Sequence, residues 1–379
     1  MSTKKNLVII ENHIISANTV RQNLVKFLMV SGYNVTILST GSSKELALAK
    51  DKGFKVIDVK SSNTNLFFAL KYIMKIRAAL RLAKADVCLT FTMRPAIWGN
   101  LVTRGLGIPT ITNITGIGPL TESDSYAYKV ARTMYKFVLK KTAKVFFQNK
   151  DDRKIFLENK FVDEYQTEII PGSGVDYDYF KPSPQKGPKE KFVFLFISRL
   201  IKDKGILEFV AAATMLKQLN YNAEFQVLGP YYAQNLKHNI ITEKLIVQWV
   251  EQGIVNYLGA TSDVRSFIAD ADCIVLPSYR EGMSNVLLEA GSMEKPCITT
   301  DTTGCNDIVV DNITGYLCKV KDANDLADKM KKMMQLSAGE RTEMGQKARD
   351  IIKNKFGKKI VIDAYIRAIR KVLGEQAPI

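Results

Sequence analysis

Short, nearly unbroken apolar runs punctuate the chain, separated by longer stretches whose apolar residues recur at helical spacing. The runs at 6–10, 35–38, 191–197, 273–276 and 296–300 lack the polar alternation of a half-exposed strand, so they predict strands buried on both faces of a parallel sheet. Val227-Leu228-Gly229 and Tyr257-Leu258-Gly259 end two further strands, and the stretches 91–100 and 107–118 each read as a strand running into a polar or glycine-rich turn. Helices are predicted over 17–31, closed by Gly32, and over 65–85, 126–144, 285–293, 323–336, 337–353 and 358–372. Buried strands alternating with helices make this an α/β protein.

In such sheets ligands collect where strands end and helices begin. The chain after 273–276 has that order: Pro277 stops the strand, a polar loop follows, and Ser284 stands as N-cap of the next helix. Unpaired N–H groups and the helix dipole favour an anion there. Two carboxylates flank the helix start, Glu281 in the loop and Glu289 inside the helix. Carboxylates repel phosphate but accept hydrogen bonds well, which suits the hydroxyls of a sugar or ribose. The opposite charge follows strand 191–197, where Arg199 and Lys204 precede Gly205 at a helix opening and are placed to clamp a diphosphate. Either motif alone is an ordinary charged turn, but together they fit the two halves of a nucleoside-diphosphate sugar. The loop after the first strand, 11–18, contains no glycine, which argues against a dinucleotide held on a glycine-rich turn and hence against a nicotinamide dehydrogenase.

The run Pro277-Ser278-Tyr279-Arg280-Glu281-Gly282-Met283-Ser284-Asn285-Val286-Leu287-Leu288-Glu289-Ala290 resembles the signature of the retaining glycosyltransferases of family 4. Arg199-x4-Lys204 is similar to that family's donor-phosphate site, and 169–176 followed by Phe180-Lys181-Pro182 to its crossover between domains. The resemblance implies the GT-B fold: α/β, with two Rossmann-like doubly wound domains facing across a cleft. It divides the chain into an acceptor and membrane-facing domain over 1–182, a nucleotide-sugar domain over 183–357 and a helix, 358–379, bracing the first domain and touching both. It implies that Glu281 orients the donor sugar and Glu289 the ribose, while Arg199 and Lys204 stabilise the departing diphosphate without a metal. Gly282, Met283, Ser284, Asn285, Val286 and Gly259 would complete the donor pocket. His13, Arg94, Thr115 and Gly116 are the acceptor-side candidates. In much of the family a histidine stands near the position of Thr115, so an imidazole is not available there. With retention, the acceptor hydroxyl attacks the face that the diphosphate leaves, and a departing phosphate oxygen takes its proton. Within the family the chain resembles bacterial enzymes that extend a saccharide on a polyprenyl-diphosphate carrier, for surface polysaccharide or protein glycosylation, from a UDP-linked hexose or N-acetylhexosamine.

Composition narrows the partners. With 46% apolar and 24% charged residues over 379 positions the chain suits two globular domains. A net charge of +16 implies an anionic partner. The absence of a nucleic-acid recognition motif or basic tail argues against nucleic acid. The helix 65–85 has Phe67, Phe68, Leu70, Tyr72, Ile73, Met74, Ile76 and Leu80 among Lys71, Lys75, Arg77, Arg81 and Lys84. The helix 126–144 has Tyr128, Val130, Met134, Tyr135, Phe137 and Val138 among Lys129, Arg132, Lys136, Lys140, Lys141 and Lys144. Each suits either a core-facing helix with a solvated basic face or an anionic bilayer, and two of them in one domain favour the bilayer. No apolar window of about 18 residues and no secretory signal is visible, so the expected location is cytoplasmic, peripheral on the inner face of the cell membrane. Five cysteines without a CxxC pair predict neither disulfide nor structural zinc. His238 falls in a polar connector expected at the surface, and 182–188 has the Pro, Gly and Lys content of a linker. Two rival functions remain at this stage, a nucleotide-sugar 2-epimerase of the same fold and a non-enzymatic basic binding protein.

Overall fold

In β1 (Asn6–Ile10), Leu7 and Ile9 enter one hydrophobic cluster while Val8 and Ile10 enter another, so both faces of its sheet are covered. The computed structural model describes residues 4–60, 66–117, 126–183, 190–231 and 240–375; His238 and most of the expected linker lie outside them. β2 (Asn34–Ser39), β3 (Lys55–Asp58), β4 (Val87–Phe91), β5 (Thr110–Ile114), β6 (Lys144–Phe147) and β7 (Thr167–Ile169) join β1 in the order β3-β2-β1-β4-β5-β6-β7, all pairs parallel. A second parallel sheet contains β8 (Phe192–Ile197), β9 (Ala223–Leu228), β10 (Asn256–Tyr257), β11 (Cys273–Leu276), β12 (Cys297–Thr300) and β13 (Gly315–Cys318). Its order is β10-β9-β8-β11-β12-β13.

The chain divides into two compact units, Met1–Ser173 with Lys359–Ile379, and Gly174–Lys358. The helix Lys358–Leu373 therefore completes the first unit. Its Val361, Ala364, Tyr365 and Ile369 are buried in the same cluster as Leu7, Ile9, Leu89 and Ile111. Tyr365 packs edge-on against Phe146, with ring centroids 4.9 Å apart, and its hydroxyl accepts a 2.6 Å hydrogen bond from Asn113 Nδ2.

Two helices are shorter than their periodicity predicts. The stretch 17–31 breaks into Ile15–Asn18 and Gln22–Val30. Arg21 sits between them, 7% exposed, with its guanidinium 3.5 Å from the buried Glu11 carboxylate and 4.2 Å from the Phe91 ring centre. The stretch 126–144 ends as a helix at Leu139, because Lys144 already pairs with Ile111 as the first residue of β6. Strand pairing there overrides a helical pattern that continues through the turn. All five cysteines are buried and unpaired.

Candidate active site

The second sheet is wound outward in both directions from β8 and β11, toward β10 on one side and β13 on the other. Loops leaving the carboxyl ends of β8 and β11 diverge, and the crevice between them is where open α/β sheets bind ligands. Both sequence motifs emerge there. After β8 the chain makes a 3₁₀ turn, Lys202–Lys204, and reaches Gly205 at φ +75°, from which the helix Ile206–Gln218 starts. A Cβ at Gly205 would lie 2.0 Å from the Pro277 carbonyl oxygen, so glycine is what lets this turn rest on the loop after β11. Gly304, at φ +78°, does the same from the other side, where a Cβ would meet the Glu281 carbonyl oxygen at 2.5 Å.

The two approaches bring Lys204 Nζ to 2.5 Å from Glu281 Oε1, with both side chains largely buried. Ser278 Oγ donates to the same oxygen at 2.8 Å, while Oε2 is in neither contact. The backbone around Glu281 is pinned as well: its N–H donates to the Thr303 carbonyl at 3.0 Å, and that of Ser284 to the Gly304 carbonyl at 3.1 Å. Ser284 caps the helix Asn285–Ser292, its hydroxyl accepting from the Leu287 N–H at 3.5 Å. Met283 and Val286 pack partly buried against the core below.

Glu289 lies further along this helix, half-buried. Burial pushes its carboxyl up to about 8; the nearby Lys358 ammonium pulls it down and the Asp263 carboxylate adds to the rise. Asp263 is forked by Arg265, with its Oδ2 2.6 Å from Nη2 and its Oδ1 2.9 Å from Nε, and the Arg265 guanidinium lies 3.8 Å from the Tyr179 ring centre. Arg199 is exposed beyond the end of β8. Gly259, past β10 on the same edge, accepts from the Gly229 N–H at 2.8 Å. Beneath the pair, Cys305 is buried, and burial together with the Glu281 charge raises its thiol to about 12.

The first-unit candidates also stand at strand ends, but their described contacts are with neighbours and not with one another. His13 Nδ1 accepts weakly from the Ile15 N–H at 3.4 Å, and Nε2 is 3.8 Å from Glu45 Oε2. The Arg94 guanidinium is 5.5 Å from the Tyr72 ring centre. Thr115 and Gly116 are half-buried just past β5. Sequence reasoning missed Ser278, Asp263 and Lys358. Ser278 lay inside the quoted motif, whereas nothing in the spacing marks the other two as neighbours of Glu289. Among the described residues no group of three or more His, Cys, Asp or Glu side chains is placed to hold a metal ion.

Two Rossmann-like sheets in one chain are the architecture of the GT-B glycosyltransferases. The fold superposes on a glycosyltransferase from Rickettsia africae with a TM-score of 0.80, over 99% of this chain and 100% of that one at 20% identity. It superposes on Anabaena Alr3699/HepE, solved in complex with UDP and glucose, with a TM-score of 0.81 over 97% and 100% at 16% identity. Residues 180–351 match the family model of the glycosyl transferases group 1, and residues 13–149 that of the glycosyl transferase 4-like proteins. The chain is a glycosyltransferase and belongs to family 4. Its relatives include the UDP-Gal:alpha-D-GlcNAc-diphosphoundecaprenol alpha-1,3-galactosyltransferase of Escherichia coli, 29% identical over 69% of each chain. A second is the N,N'-diacetylbacillosaminyl-diphospho-undecaprenol alpha-1,3-N-acetylgalactosaminyltransferase of Campylobacter jejuni, 26% identical over 76% of this chain and 78% of that one. The capsular polysaccharide biosynthesis glycosyltransferase CapM of Staphylococcus aureus is 24% identical over 89% and 90%.

Proposed function

We propose that this protein transfers a hexose or N-acetylhexosamine, with retention, from a UDP-sugar to a saccharide carried on a polyprenyl diphosphate. The observation that carries the reading is the Lys204–Glu281 pair at the crevice of the second sheet, with Glu289 further along the helix that leaves it. As the bond from sugar to diphosphate breaks, negative charge grows on the leaving group. Lys204, Arg199 and the N–H groups at the Ser284 helix start supply the opposing charge. Glu281 accepts hydrogen bonds from the donor sugar's hydroxyls and Glu289 from the ribose diol. Gly282, Met283, Asn285, Val286 and Gly259 shape the pocket around them. The acceptor hydroxyl enters on the face that the diphosphate leaves, and the departing phosphate oxygen takes its proton, so no histidine is needed.

The first unit serves the acceptor, with Arg94 for its diphosphate and His13, Thr115 and Gly116 around its sugar. Exposed Leu70, Met74 and Leu82 beside exposed Lys71, Arg77 and Arg81, and exposed Val130 and Phe137 beside Lys129, Lys136 and Lys140, support seating on an anionic inner membrane surface. Each basic residue near such a surface adds about 1 kcal/mol. The relatives' lipid-linked acceptors agree with that placement.

The test is a transfer assay with UDP-, GDP- and ADP-sugars and a synthetic polyprenyl-diphosphate N-acetylhexosamine. Lipid product from a UDP-sugar with retained anomeric configuration is expected. Conversion of the donor without acceptor would favour an epimerase, and no reaction with any UDP-sugar would overturn the assignment.

A further inference from the structure

The loop between Pro277 and Ser284 contains no helix or strand, yet it must hold Glu281 within hydrogen-bonding distance of Lys204 on a different loop. On one side it leans on the turn after β12: the Thr300 hydroxyl donates to the Ser278 carbonyl, and Thr302 Oγ1 donates to the Tyr279 carbonyl at 3.2 Å. On the other side Tyr279 reaches toward the Lys204 turn twice. Its backbone N–H donates to the Asp203 carbonyl at 2.9 Å. Its hydroxyl donates to Glu208 Oε1 at 2.8 Å, in the first turn of the helix that Gly205 opens. The Lys321 ammonium lies 4.8 Å from the Tyr279 ring centre.

We propose that the Tyr279–Glu208 hydrogen bond is a positioning device for the proposed donor site, holding the Glu281 loop in register with the Lys204 turn; neither residue needs to touch substrate. The inference rests on the roles proposed above for Glu281 and Lys204. Burial and the Glu208 contact raise the Tyr279 hydroxyl well above its ordinary range, so it keeps its proton and remains the donor. Glu208 Oε2 is buried without a hydrogen-bond partner, so Oε1 is the oxygen through which this carboxylate is satisfied. Removing the tyrosine hydroxyl takes its one donor from a partly buried carboxylate and frees the loop end two residues before Glu281.

The experiment measures kcat and KM for Tyr279→Phe, Glu208→Ala, Glu208→Gln, the Tyr279→Phe/Glu208→Ala double variant and Glu281→Ala. Tyr279→Phe is expected to lower kcat by about 10- to 100-fold with donor KM changed less than about threefold, because a displacement near 1 Å disturbs the transition state more than ground-state binding. Glu208→Gln keeps an acceptor oxygen and should lose less than Glu208→Ala. The double variant should be no slower than the worse single one, since both remove the same bond. Multiplying losses, or Tyr279→Phe within twofold of wild type while Glu281→Ala is crippled, would overturn the positioning role alone. Normal turnover of Glu281→Ala would instead remove the reading on which it rests.

Discussion

The two sheets share one winding, β3-β2-β1-β4-β5-β6 in the first unit and β10-β9-β8-β11-β12-β13 in the second, but their carboxyl edges are finished differently. In the second unit the charges stand on loops at the crevice, where Lys204 and Ser278 both meet the same Glu281 carboxylate oxygen. In the first unit Glu11 and Arg21 have sunk below the edge, 2% and 7% exposed, in the cluster that Phe91, Asn113 and Tyr365 complete. Winding alone supplies an edge with free loops. The two edges differ in how deep their charges lie, and under the function proposed above that depth separates a bracing edge from a binding one.

Three measurements would break or sharpen this contrast. The largest effect is expected from Arg21→Ala, which leaves the Glu11 carboxylate buried without its cation; denaturant unfolding should show a loss of about 3–5 kcal/mol. Lys204→Ala, at a pair somewhat less deeply buried, should lower transfer by about 10²- to 10³-fold with a smaller loss of stability than Arg21→Ala. If Lys204→Ala unfolds the protein, or Arg21→Ala leaves it stable, the distinction between a bracing and a binding edge is wrong.

The smallest effect is in pH dependence. Burial raises Glu11 from an ordinary 4.5 to about 6 despite Arg21, and Glu289 from 4.5 to about 8. Both native carboxyls hold their protons more tightly than the unfolded chain does, so each stabilises fully below 4.5 and loses that contribution as pH rises through 6 or 8 respectively. Glu11→Gln should therefore flatten the stability profile at the acid end of this range and Glu289→Gln between 6 and 8. Donor affinity should move oppositely, strengthening about tenfold per pH unit up to 8, because the ribose hydroxyls favour the ionised Glu289. Calorimetric titration of UDP at pH 6, 7 and 8 checks the sign.

Strands β1, β2, β8, β11 and β12 were legible because residues such as Leu7 to Ile10 leave no polar position for a solvent-facing side. By contrast, β4 ends where the expected strand 91–100 begins, with 95–99 helical, and β13 is absent from the expected strands. Lys204 and Glu281 were legible because opposite charges followed two strand ends and the flanking residues matched a family signature. β3 was missed, since Lys55-Val56-Ile57-Asp58 is short and its ends are exposed. The burial of Glu11 ran against a stretch that reads as a polar loop, because what covers it includes Tyr365, from the far end of the chain. The nearness of Lys358 and Asp263 to Glu289 is likewise a product of tertiary folding, which no local pattern encodes.

The placement of Lys358–Leu373 bears on how the protein comes off the ribosome. Val361, Ala364, Tyr365 and Ile369 belong to the core of the first unit, yet they are made only after the whole of Gly174–Lys358. At roughly 5–20 residues per second, the first sheet waits on the order of ten to forty seconds for its last helix. During that interval one face around Leu7, Ile9 and Leu89 is incompletely covered, while the core residues of the second unit all precede that helix in the chain. The unit begun first is thus the last to complete its core, with an uncovered apolar face in the interval.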